Sequence, residues 1–144
     1  MGYSHYFENK KDCPPEDWAK ITDAFKRLQA TAIINNDPLL IQEESDHASA
    51  PGVDDTGIWF NGIEDNGHET FHLTRVGSGR FNCCKTALKP YDRVVVAVLC
   101  LANFFAPGVW DIDSDGPNYE WQDGLALART VEPNCPMPGM IRKD

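Results

Sequence analysis

Trp18, Ile21, Phe25 and Leu28 fall three and four residues apart, a spacing that places them on one stripe of a helix. The residues ahead of them, Asp12-Cys13-Pro14-Pro15-Glu16-Asp17, read as its start. Proline is tolerated in a first helical turn, and the two acids suit the positive end of the helix dipole. Beyond Lys26 and Arg27 the period changes. Thr31–Asn35 and Leu39–Gln42 read as two strands joined at the turn residues Asn36-Asp37-Pro38. Ile58–Ile63 and Glu69–Val76 read as a hairpin turning at Glu64-Asp65-Asn66-Gly67, where Asn-Gly is a strong reverse-turn signal. Ser4–Glu8 and Phe81–Cys84 are expected as short strands. In Val109–Asp113, Trp110 and Ile112 alternate with Asp111 and Asp113, the pattern of a half-buried strand.

The longest apolar run, Val94 to Ala102, is opened by Pro90-Tyr91-Asp92 and reads as a buried helix. It falls well short of the roughly 20 residues a membrane span needs. Asn118–Arg129 is expected as a last helix, although Gly124 inside it disfavours helix. Glu43–Gly57 is acidic and turn-rich and reads as a solvated loop. The whole predicts an α+β fold. It is one domain over residues 1–132, an antiparallel sheet of about five to six strands with two to three helices packed on one face. An irregular, proline-rich tail, residues 133–144, follows.

Charge changes the picture next. The chain of 144 residues carries a net charge of −9. Such a field repels nucleic acid, so no direct nucleic-acid binding is expected, and it suits a basic partner, including a protein that itself grips DNA or RNA. Five cysteines in no framework spacing, with no basic-then-apolar leader at Met1–Tyr6, lead to an expectation of reduced thiols in a cytoplasm.

Three motifs come close to chemistry. His68-Glu69-Thr70-Phe71-His72 has the H-E-x-x-H spacing of a zinc hydrolase, which works only when both imidazoles share a helix face. Here Asn66-Gly67 and Gly77-Ser78-Gly79 bracket a period-two pattern. On a strand, four residues span about 13 Å, too far for two bonds of about 2 Å to one metal. Asp111-Ile112-Asp113-Ser114-Asp115-Gly116 opens like a calcium loop, but Gln122 stands where the bidentate Glu belongs. Gly79–Thr86 differs from a P-loop by Cys84 in place of its second Gly, which obstructs the backbone curl around phosphate. No metal or cofactor is expected. His68, His72, Asp111, Asp113 and Asp115 stand as the metal-ligating alternatives. Cys83 or Cys84 with a histidine stands as a thiol alternative.

One distribution survives. Between Thr70 and Tyr91 lie Arg75, Arg80, Lys85 and Lys89 and no acid, in a chain that is acidic elsewhere. With Asn82 and Thr86 as added donors, this island is a candidate site for an anionic, nucleotide-like ligand. Tyr3, Tyr6 and Trp59 are aromatics that would serve an interface, a homo-oligomer included, or equally a core.

The words Gly2-Tyr3-Ser4-His5-Tyr6, Phe60-Asn61-Gly62, Gly67-His68-Glu69 with Phe71, Cys84-Lys85-Thr86, Lys89-Pro90-Tyr91-Asp92, and Trp110 through Ser114-Asp115-Gly116 to Trp121 cover most of the chain. In these it resembles a family of small proteins of bacteriophages and bacterial mobile elements. The resemblance implies a phage origin and carries over no catalytic residue. In that setting small acidic accessory proteins act in the host cytoplasm on host machinery or host defence, by binding a protein or sequestering a nucleotide signal. The expectation is therefore a protein that binds rather than catalyses. Its partner would be a host protein or an anionic small ligand. A small hydrolase is the remaining alternative.

Overall fold

In the computed structural model, which describes residues 3–44, 49–77, 82–139 and 141, the chain runs in one pass through seven strands and three helices. The order is β1 (Ser4–Asn9), α1 (Pro15–Ile34), β2 (Ile41–Gln42), β3 (Gly52–Val53), β4 (Gly57–Gly62), β5 (Phe71–Thr74), β6 (Cys83–Lys85), α2 (Asp92–Phe105), β7 (Trp110–Ser114) and α3 (Gln122–Arg129). Glu64–Asn66 and Asn118–Trp121 form short 3₁₀ turns. This is an α+β fold. No helix among the described residues is long and apolar enough to cross a membrane.

The strands form two antiparallel sheets rather than one. The first has the order β6-β1-β7. In the second, β4 pairs with β2, β3 and β5. β3 and β5 both pair with Ile58 and Trp59, so they flank β4 on opposite edges. A chain of rings joins the sheets to a helix. Phe7 of β1 meets Phe71 of β5 at 5.1 Å, Phe71 meets Phe60 of β4 at 5.1 Å, and Phe60 stacks on Phe25 of α1 at 5.5 Å.

The expected strand at Thr31–Asn35 is instead the end of α1. The β-branched Thr31, Ile33 and Ile34 favour a strand locally, but Ala32 continues the buried stripe of Ala24, Phe25 and Leu28 and carries the helix on. Asn36 then ends it in the left-handed region, at φ 54°. The Asn36 amide bonds to Ile33 and the Asp37 amide to Ala32, which is the Schellman pattern. The cost is that Ile33 and Ile34 stand 77% and 79% exposed.

α2 is buried from Val94 through Ala102 and packs against both α1 and α3. Gly124 of α3 has a clear reason here. A Cβ at that position would overlap the Val96 side chain of α2, so glycine permits the close crossing of the two helices. Beyond α3 the chain is irregular yet anchored. Cys135 and Ile141 are buried, and the Arg129 guanidinium donates to the Cys135 carbonyl.

Candidate functional site

The H-E-x-x-H residues lie on no helix. His68, Glu69 and Thr70 are irregular, and Phe71 and His72 open β5. Their order comes from Asn61, whose side chain accepts the amides of Gly62 and His68 and donates to the His68 carbonyl and the Thr70 hydroxyl. Glu69, which would be the base of a zinc site, has another task. Its carboxylate accepts the Lys85 amide at 2.7 Å, while its own amide donates to the Lys85 carbonyl at 3.2 Å. The Tyr91 hydroxyl donates to the Glu69 carbonyl at 2.5 Å. The pentapeptide thus fastens the second sheet to β6 of the first.

Asp111 and Asp113 lie on the outer face of β7, as their alternation predicts. Asp115 closes the strand end. One of its oxygens accepts the Ser4 amide and the other the Tyr6 hydroxyl. Among the described residues no group of three or more His, Cys, Asp or Glu side chains is placed to hold a metal ion.

The basic island is spread out by its own backbone. Arg75 donates to the carbonyls of Cys13 and Asp55 and lines a cleft beside Trp18 at the start of α1. Arg80 lies outside the described residues. Asn82 donates to the Asn9 side chain, and Lys85 lies beside Ser4 on the outer face of the first sheet. Thr86 is fully buried and donates to Asp92, and Lys89 lines a separate cleft at the start of α2. Lys85 belongs to a strand, so no helix begins there to cradle a phosphate.

All five cysteines are free. Cys83 is exposed on the outer face of β6; the other four are buried. Burial pushes the Cys84 thiol up to about 12 and those of Cys13 and Cys135 up to about 11. These groups stay protonated and make poor nucleophiles.

A polar network that sequence spacing does not reveal lies inside the first sheet. His5 is fully buried. Its Nε2 lies 2.6 Å from Asp92 Oδ1 and its Nδ1 2.8 Å from Ser114 Oγ. Asp92 Oδ1 also accepts the Thr86 hydroxyl at 2.5 Å, and Ser114 Oγ accepts the Gly116 amide at 3.0 Å. Nε2 donates to the Asp92 carboxylate, and Nδ1 is bonded to the Ser114 hydroxyl, which can donate or accept. Tyr3 and Trp121 close on the His5 ring edge-on, each at 5.3 Å. Ser, His and Asp therefore meet as in a hydrolase triad, but the serine is 7% exposed and the histidine 0%. A substrate carbonyl has no approach to the hydroxyl. The arrangement instead locks β1 to the start of α2 and the end of β7. Each of these side chains lies within the sequence stretches 2–6, 84–86, 89–92 or 110–121.

Tyr3 and Trp121 keep buried polar atoms without a hydrogen-bond partner. Tyr3 Oη ends against Gly116, where any Cβ would overlap it, and near the Ser114 side chain. Burial first, then the charges of Asp92 and Glu120, push its pKa up, so the phenol remains a donor.

Two clefts meet at the segment after α1. One, of about 530 Å³, lies against Ala32, Ile33, Leu39 and Ile63. The other, of about 470 Å³, is bounded by Leu88, Lys89, Asp92, Glu120 and Asp123. Asp37, Pro38 and Leu40 line both. Arg93 holds Asp37 through both carboxylate oxygens, at 2.9 and 2.5 Å. Four non-glycine residues around this point have left-handed backbone: Asn36, Leu40, Ala87 and Leu88, at φ 54°, 58°, 53° and 56°. Leucine pays roughly 1–2 kcal/mol for that conformation, and such strain gathers at binding and switch sites.

Comparison of the chain with protein-family models, with curated proteins and with solved structures finds no match.

Proposed function

We propose that this protein acts by binding a protein partner with a basic surface, and that the outer face of the sheet β6-β1-β7 presents the charge that attracts it. One observation carries the reading. Glu8 and Asp111 are direct cross-strand partners on that face, and both are exposed. Like charges directly opposite one another destabilise a strand pair. Asp113 stands next along β7, beside Tyr6, and Asp115 lies at the strand end. The inner face of the same strands, from His5 and Phe7 to Trp110 and Ile112, is wholly buried, so the acids are not there for want of an inside. A negative patch on a chain of net charge −9 speeds and orients encounter with a positive surface.

Phage accessory proteins, which the chain resembles in its sequence words, favour a host protein as that partner. Free, mostly buried thiols suit a reducing cytoplasm. The test is affinity capture from a bacterial lysate with the wild-type chain and with the triple variant Glu8→Lys, Asp111→Lys, Asp113→Lys, over a series of salt concentrations. The reading expects a defined basic protein that the wild type retains at low salt, releases as salt rises, and the variant does not retain. Equal retention by both chains, or no retained protein, would sink it.

A further inference from the structure

The pair of clefts that adjoin at Asp37, Pro38 and Leu40, the trough, has two chemistries. Its first half is apolar, walled by Ala32, Ile33, Leu39 and Ile63, and its one charge, Asp37, is neutralised by Arg93. Its second half is acidic: Glu120 and Asp123 face a single lysine, Lys89, once Arg93 is counted with Asp37 and the buried Asp92 with His5 and Thr86. Leu40 stands at the junction and Leu88 on the acidic rim, both on left-handed backbone.

We propose that this trough docks a linear segment of a protein partner in which a bulky aliphatic side chain sits beside lysine or arginine. The aliphatic group fills the apolar half, where removal of surface from water drives association. The basic groups meet the carboxylates of the other half. The charge pattern disfavours a second copy of this chain. A two-fold contact between identical patches would set the acidic half either against its own copy or against the apolar half, between chains that each carry −9. The trough includes none of Glu8, Asp111 or Asp113, so this site and the sheet face fail or stand separately.

The probe is a fluorescein-labelled amphipathic peptide built of leucine and lysine, with a leucine and glutamate peptide as its counterpart. Anisotropy is read against the full chain at physiological ionic strength. The trough requires saturable one-to-one binding of the lysine peptide and none of the glutamate peptide. Ile33→Asp and Asp123→Lys each weaken it about tenfold or more. Both positions are exposed, so both variants should fold, and an unchanged far-UV spectrum confirms that they do. Glu8→Lys with Asp111→Lys should leave the affinity within about twofold. Unsaturable binding, wild-type affinity in the two trough variants, or loss confined to the sheet-face variant overturns the proposal. So does a wild-type chain that sediments as a dimer which Ile33→Asp dissociates, because the trough would then belong to a second copy.

Discussion

Glu69 and Lys85 hold each other backbone to backbone and side chain to backbone: the Glu69 carboxylate takes the Lys85 amide, and the Lys85 carbonyl takes the Glu69 amide. The role that spacing offers Glu69, activation of a metal-bound water, is thereby replaced by a structural one. Glu69→Ala should lower stability by about 1–2 kcal/mol, the value of a hydrogen bond to a charged acceptor. The melting temperature should fall by a few degrees, readable by circular dichroism. His68→Ala and His72→Ala, both at exposed positions, should change it little, and a strong chelator should not move it at all. A chelator-dependent melt would restore the metal reading.

The His5 network makes a different prediction. Ser114→Ala leaves the Gly116 amide and His5 Nδ1 without their partner in a buried site, a loss of about 1–3 kcal/mol. Asp92→Ala removes the acceptor of both His5 and Thr86 and should cost at least as much. The two residues are linked through the His5 ring. Urea unfolding of the single and double variants should show non-additivity of about 0.5–3 kcal/mol. Simple additivity would mean that the ring transmits nothing.

The Asp37–Arg93 pair sets a pH dependence. The hydrogen bonds and charge of Arg93 hold the Asp37 carboxyl below its ordinary value of 3.8. A carboxyl lowered on folding contributes stability that is fully present above that ordinary value and is lost as pH falls through the lower folded value. The stability difference between wild type and Arg93→Gln should therefore shrink below about pH 4. A carbon-detected NMR titration should place the Asp37 midpoint below 3.8 in the wild type and move it upward in the variant.

Thiol chemistry gives a direct count. Cys83 is the one exposed cysteine. A disulfide reagent at neutral pH should modify one thiol per native chain, none in Cys83→Ser, and all five after denaturation. Fast modification of a second native thiol would place Cys84 or Cys13 nearer solvent than the fold allows.

Gly124→Ala tests the α2–α3 crossing. Alanine is the better helix former by roughly 1 kcal/mol, yet its methyl has no room against Val96. The clash should win and destabilise by about 1–3 kcal/mol. A gain in stability would mean that the helices part at little cost.

Much of this fold could be read along the chain because local signals agreed with burial. The unbroken apolar run gave α2, the Trp110/Ile112 alternation gave β7, and Pro14-Pro15-Glu16-Asp17 gave the start of α1. The end of α1 could not be read, because Thr31, Ile33 and Ile34 favour a strand while burial of Ala32 alone keeps the helix. The division into two sheets was hidden for another reason. β1 and β7 pair across more than a hundred residues, and no local pattern carries that register. The basic island shows how neighbours in sequence part in space. Alternation along β6 puts Lys85 outside, and Thr86, just past the strand end, turns inside. The His5 network is the converse. Its members come from both ends and the middle of the chain and look unremarkable one at a time. No spacing along the chain signals it, because its bonds join residues 87 and 109 positions apart.

Ala87 and Leu88 form two successive left-handed residues closed by the bond from the Lys89 amide to the Thr86 carbonyl, the φ pattern of a type I′ turn. That turn is ordinarily built from asparagine and glycine. A selection for thermal stability alone, run on a randomised library at these two positions, would drift toward Asn-Gly and discard the exposed leucine. Leu88 lines the acidic cleft instead, so under the docking proposal Leu88→Gly should trade affinity for stability.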